Sequence, residues 1–95
     1  MSAYVIAEIE VTDPAGYEEY RKQVLAVVTK YGGKFIVRGG KVDAREGGWN
    51  PKRIVVLEFP SMEQAQKWYH SAEYAPLIKL RQKASKGRLI IVEGA

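Results

Sequence analysis

Residues 4–11, YVIAEIEV, put Val5, Ala7, Ile9 and Val11 at every second position. That period belongs to a strand with one covered face. The next stretch, TDPAGYEEYRKQVLAVVTKYGG (12–33), changes period. Asp13 suits a helix N-cap, Pro14 suits the first helical position, and Glu18 and Glu19 favour the positive end of the helix dipole. Tyr17, Tyr20, Val24, Val27, Val28 and Tyr31 then recur at helical spacing until Gly32 ends the run.

Working outward, the same alternation of strand and helix repeats. A second strand is predicted over 34–38, with Gly39 and Gly40 allowing a bulge or bend before Val42 continues it. REGGWNP (45–51) is a turn region and RIVVLEF (53–59) a third strand. Ser61 and Gln64 of SMEQ form a capping box, opening a helix that carries Ala65, Trp68 and Tyr69. SAEYAPLIKLRQKA (71–84) is a second helical piece restarted around Pro76, and RLIIVEG (88–94) is the last strand. The order βαββαβ, with no linker or repeat, predicts one α+β domain over residues 1–95. Its plan is ferredoxin-like, an antiparallel sheet with helices on one face.

Bulk composition narrows the function. A chain of 95 residues with 46% apolar side chains builds a core but buries proportionally little surface, which favours self-association. There is no cysteine, so disulfides and thiolate metal sites are excluded. A single histidine, His70, rules out a multi-histidine metal site, and no metal is expected. MSAYVIAEIEV lacks a basic segment and is interrupted by Glu8 and Glu10, so it reads as neither signal peptide nor membrane span, and a cytoplasmic location is expected. The net charge of +4 is spread among carboxylates without a basic run, a poor footprint for nucleic acid. RNA-recognition domains of this topology need stacking aromatics on strand three, which RIVVLEF lacks before Phe59. RGGK lacks the spacing of a phosphate-binding loop, and no cofactor motif is present.

The predicted sheet has two unlike faces. Val5, Ala7, Ile9, Phe35, Val37, Val55, Leu57 and Phe59 share the face expected under the helices. Tyr4, Ile6, Glu8, Glu10, Ile36, Arg38, Ile54, Val56, Glu58, Ile90 and Val92 share the other. The second set is too apolar to be left in water, which predicts a homodimer with sheets packed face to face. Arg38 then has two readings. With strand three between strands one and two it could pair with Glu58, or it could await an anionic ligand.

Few residues could carry chemistry. His70 has a suitable intrinsic pKa, and Ser71 could act only with an oriented base, its alternative being a helix cap. Arg38, Arg53 and Arg81 with Trp68 and Tyr74 would suit a cavity for a small anionic or aromatic molecule. Trp49, in a Gly-rich turn, is a poor candidate for core filler.

GGKFIVRGG, GGWNPKRIVVLEFPSMEQAQKWYHSAEYAPLIKLR and IIVEG, taken in order, resemble the domain-of-unknown-function family 1330 of the dimeric α/β-barrel superfamily. The similarity runs nearly end to end, through Arg-Gly-Gly, Pro-x-Arg and Trp-Tyr-x-Ser-x-x-Tyr. It implies a ferredoxin-like fold, a homodimer, and matching positions at Arg38, Gly39, Gly40, Arg53, Trp68, Tyr69, Ser71, Tyr74 and Arg81. Where the family pattern often shows Asn, this chain has His70. The superfamily includes quinone-forming monooxygenases and a muconolactone isomerase, so the resemblance implies small-molecule chemistry without a dedicated cofactor. The other reading is a dimeric ligand-binding or stress-related module without turnover.

Overall fold

The computed structural model describes residues 1–95. Strand β1 (Ala3–Val11) leads into helix α1 (Pro14–Lys30), followed by β2 (Lys34–Arg38), β3 (Ile54–Phe59), α2 (Met62–Tyr69), α3 (Ala75–Ala84) and β4 (Ser85–Glu93). The strands form one antiparallel sheet in the order β2-β3-β1-β4, the ferredoxin-like arrangement. β3 lies between β1 and β2, as expected. No helix is long and apolar enough to cross a membrane.

Period explains which side each strand residue takes. Ala3, Val5, Ala7 and Ile9 of β1 are buried beneath the helices, together with Leu57 and Phe59 of β3. α1 lays Tyr17, Tyr20, Val24 and Val28 onto them, α2 adds Ala65 and Trp68, and α3 adds Leu77 and Ala84. Phe59 and Trp68 pack with ring centroids 5.3 Å apart. All of this lies on one side. The molecule is a slab of 35 × 33 × 16 Å, one sheet and one helical layer deep.

Local signals act at the helix ends. Ser61 Oγ accepts a hydrogen bond from the Gln64 backbone N–H at 3.1 Å, fixing the first turn of α2. Asp13 occupies the N-cap of α1 but makes no side-chain capping bond. Pro76 sits in the first turn of α3, where its missing N–H has no partner to lose.

Three expectations are corrected in the strands. β2 ends at Arg38, so Val42 lies outside the sheet. The irregularity expected at Gly39–Gly40 falls earlier: Phe35 faces Leu57 and Val37 faces Val56, leaving Ile36 as the extra residue of a bulge. One extra residue reverses the alternation after it. Val37 therefore shares the open face with Val56, and Arg38, opposite Val55, turns to the helix side. β4 also starts at Ser85 rather than Arg88, and pairs along the whole of β1.

Candidate ligand-binding cleft

The bulge at Ile36 removes the pairing of Arg38 with Glu58. Glu58 lies opposite Lys34, whose ammonium is 3.4 Å from its carboxylate, and it also accepts from Tyr4 Oη at 3.4 Å. Glu8, on the same open face, accepts from Arg88 Nε at 2.7 Å and Trp49 Nε1 at 2.9 Å. Hydrogen bonds from Trp49 and Arg88 hold the Glu8 carboxyl below its ordinary pKa. Trp49 thus lies over the uncovered side of the sheet, beside Ile54 and Ile90.

Arg38 instead lines a narrow cleft between the sheet and the helices, with an open core of about 30 Å³. That volume is far below the roughly 300–1,000 Å³ of small-molecule sites. The core holds about two waters, at roughly 10–15 Å³ per water centre. A ligand therefore requires the exposed side chains at the mouth, Arg21 and Arg38, to swing aside. Val55, Ala7 and Leu89, aligned across the sheet with Arg38, form one wall. Tyr17, Tyr20 and Val24 of α1 form another, and Trp68 and Tyr74 close the inner end.

The cleft contains four arginines, Arg21, Arg38, Arg53 and Arg81, and no acidic residue. Arg21 has its own partner outside, Glu18 at 3.0 Å. The other three make no ion pair within the chain. The Arg38 guanidinium lies 4.3 Å from the centre of the Phe35 ring, and that of Arg53 lies 5.8 Å from Tyr17. Arg53 Nε is buried without a hydrogen-bond partner. Gly39, at φ 74°, leaves room for that guanidinium, which a Cβ would overlap. Arg81 is only 8% exposed.

At the inner end, Trp68 and Tyr74 stack with centroids 4.2 Å apart and are almost entirely buried. Tyr20 and Tyr74 join hydroxyls at 2.8 Å, and Arg81 Nη1 donates to Tyr74 Oη at 3.5 Å. Burial pushes the pKa of both phenols up, with the neighbouring Tyr74 adding to the shift of Tyr20. Both hydroxyls stay protonated at any physiological pH.

Of the expected site residues, Arg38, Arg53, Trp68, Tyr74 and Arg81 all line this cleft. His70 and Ser71 do not. His70 is an exposed C-cap of α2 with its ring edge-on to Tyr69. Ser71 is buried, but its Oγ donates to the Trp68 carbonyl at 2.8 Å and accepts from the Tyr74 N–H at 3.1 Å. It fixes the turn that sets Trp68 beside Tyr74. Sequence reading missed Tyr17, Tyr20 and Arg21 as cleft residues. Their spacing on one face of α1 marked a buried side, but nothing local marked that side as a cleft wall. No group of three or more His, Asp or Glu side chains is placed to hold a metal.

This α+β architecture recurs in solved structures of low sequence identity. A protein of unknown function from Rhodopseudomonas palustris matches with a TM-score of 0.75 at 17% identity, over 99% of this chain and 82% of its own. SnoaB, a cofactor-independent oxygenase from Streptomyces nogalater, matches with a TM-score of 0.71 at 12% identity, over 99% and 93%. HapK from Hahella chejuensis matches with a TM-score of 0.62 at 14% identity, over 98% and 92%. The class is therefore a ferredoxin-like fold with a cleft between sheet and helices. Within it, residues 2–95 match the model of the domain of unknown function DUF1330, and the chain belongs to that family. No curated protein matches the sequence.

Proposed function

We propose that this protein binds a small organic anion in the cleft between its sheet and helices. One observation carries the reading: three arginines line an otherwise apolar cleft, and no carboxylate of the chain meets them. Arg81 is buried and Arg53 half-buried, where a guanidinium without a counter-ion is costly, while Arg38 stands exposed at the mouth; an incoming anion removes that cost. Arg38 and Arg53 anchor the ligand's charge, and Trp68 and Tyr74 wall its body.

Whether the ligand is turned over divides two readings. SnoaB's description as a cofactor-independent oxygenase supports small-molecule chemistry, by likeness of fold alone. A binding module without turnover is supported by the lining itself. It holds no histidine or carboxylate to move a proton near neutral pH, and its phenols are held protonated.

The test is a thermal-shift screen of wild type and Arg38→Ala against small aromatic and aliphatic carboxylates. At ten times Kd, binding adds about 1.4 kcal/mol, or roughly 5–10 °C in a domain of this size. Wild type is expected to respond and Arg38→Ala to respond less. No shift with any carboxylate at millimolar concentration sinks the proposal. Product analysis of a binding carboxylate, incubated with protein in air, separates turnover from binding.

We also propose that the protein is a homodimer joined through the open face of the sheet. Ile36, Val37, Ile90 and Val92 are exposed there, with Trp49 of the same chain lying beside Ile90. Packing a second slab on this side would bury them. Size-exclusion chromatography with light scattering checks this, and a persistent monomer at micromolar concentration overturns it.

A further inference from the structure

The inner end of the cleft contains donors in search of an acceptor. Tyr20 and Tyr74 share one hydrogen bond, which uses one of their two O–H protons. The second O–H has no acceptor: the only other side-chain hydrogen bond of the pair comes from Arg81, and a guanidinium can only donate. Arg81 is nine-tenths buried and meets no carboxylate. Trp68 Nε1 is a third unused donor, fully buried and without a partner. Buried polar groups are nearly always satisfied, so an unpartnered indole N–H, a surplus phenol O–H and a buried guanidinium without a counter-ion at one end of one cleft call for an explanation. A group rich in lone pairs, arriving from outside, satisfies all three. A carboxylate has that chemistry, with two oxygens and roughly four acceptor sites.

The outer end has its own unpaired cations in Arg38 and Arg53. The register sets the two ends apart. Arg38 stands on β2, at one edge of the sheet, in a row that runs through Val55 and Ala7 to Leu89 on β4. Arg81 lies near the other edge, since it also lines a groove with Leu89 and Lys86 of β4. Three strand spacings put the Arg38 backbone about 14 Å from Leu89 across the sheet, and the Arg38 and Arg81 side chains approach each other over that span. Between them lie Ala7, Val55 and the aromatic rings of Tyr17 and Tyr20.

Building on the anion-binding reading, we propose that the ligand is a dicarboxylate with an apolar or aromatic body. Arg81, Trp68 Nε1 and the Tyr20–Tyr74 hydroxyl pair hold its inner carboxylate, and Arg38 and Arg53 hold the outer one. This makes Tyr20 a ligand-binding residue. It also turns four scattered cleft residues into a single acceptor-seeking subsite. The phenols remain protonated on burial and so donate rather than repel.

Matched pairs of probes test this: benzoate against terephthalate, and hexanoate against adipate. Their affinities are measured by calorimetry at fixed ionic strength, for wild type, Arg81→Gln and Tyr20→Phe. The readout is the ratio of dianion to monoanion affinity. Wild type is expected to favour at least one dianion by about tenfold or more, the scale of one charge-assisted contact. Both substitutions are expected to bring that ratio towards one. Tyr20→Phe keeps the ring and its packing, so it reports on the subsite even if Arg81→Gln fails to fold. Equal binding of monoanions and dianions by wild type overturns the second carboxylate and leaves the anion site standing. A dianion preference that survives Tyr20→Phe at full strength also overturns it, placing the second charge elsewhere, for instance on Lys86 or Arg88 of the neighbouring groove. Failure of every carboxylate to bind brings down both readings together.

Discussion

The two sides of this sheet treat charge in opposite ways. On the open side, cations and carboxylates are matched: Glu8 with Arg88, Glu58 with Lys34. On the covered side, Arg81 is buried against a phenol, Arg53 is half-buried beside Tyr17 and Arg38 lies exposed over the Phe35 ring, without one carboxylate. Stability alone would favour the reverse. Ion pairs matter little where water screens them, and an unpaired cation is most costly where water is scarce. The open side therefore reads as a surface arranged for folding and assembly. On the anion-binding reading proposed above, the covered side gives up stability for a charge that an incoming ligand can use.

The largest effect separates the two tryptophans that belong to these two sides. Trp68, 1% exposed, stacks on Tyr74 and packs on Phe59, whereas Trp49 is 55% exposed and held by one hydrogen bond to Glu8. Trp68→Ala is expected to cost about 3–5 kcal/mol, enough to bring a small domain close to unfolding. Trp49→Ala is expected to cost far less in the folded monomer. Denaturant titration of both checks this, and equal losses would mean that the open face is as well packed as the core.

A smaller effect, of unusual sign, is expected at Arg81. Arg81→Met keeps the aliphatic bulk and removes the unpaired cation. Its ligand-free melting temperature is expected to equal or exceed wild type, by up to roughly 1–2 kcal/mol, because replacing sheltered charge by apolar volume is often neutral or stabilising. Its response to carboxylates is expected to fall. A clear drop in ligand-free stability would show that Arg81 serves the fold, and the contrast between the two faces would lose its sharpest member.

Much of this contrast was legible in the sequence, and the reasons for the gaps are local. Alternation in YVIAEIEV fixed the faces of β1, and the helical period of 17–31 fixed the buried side of α1. The face of Arg38 was not legible. FIV is apolar at three successive positions, so period two cannot reveal which residue is the extra one, and the glycines that follow drew the expected bulge at least three residues too late. One slipped residue decided between an ion pair and a cleft cation. The start of β4 was hidden for another reason: SKG looks like a loop. Gly87 is in fact a paired strand residue, pressed so close to the Glu8 carbonyl that a Cβ would not fit. The Tyr20–Tyr74 pair joins residues 54 apart in the chain, beyond the reach of any local pattern.

The smallest effect tests the matched charges, and acid is the tool. Beyond the sheet, Glu73 ties the turn before α3 to the end of α1, through Lys30 and through Tyr31 Oη at 2.9 Å. The hydrogen bond from Lys30, with help from the backbone and Tyr31, lowers the Glu73 pKa to about 2 from an ordinary 4.5. Above pH 4.5 the group is ionised in both folded and unfolded chains, and its contribution is fully present. As pH falls from 4.5 towards 2 the unfolded chain takes up a proton that the folded chain refuses, so stability is lost. The melting temperature of wild type is expected to exceed that of Glu73→Gln near neutral pH, with the gap closing as pH falls through this window. The effect is expected to be modest, since the carboxylate is solvent-exposed and screened, and to shrink with added salt. A gap that stays constant with pH would mean that Glu73 acts through hydrogen bonding or packing alone.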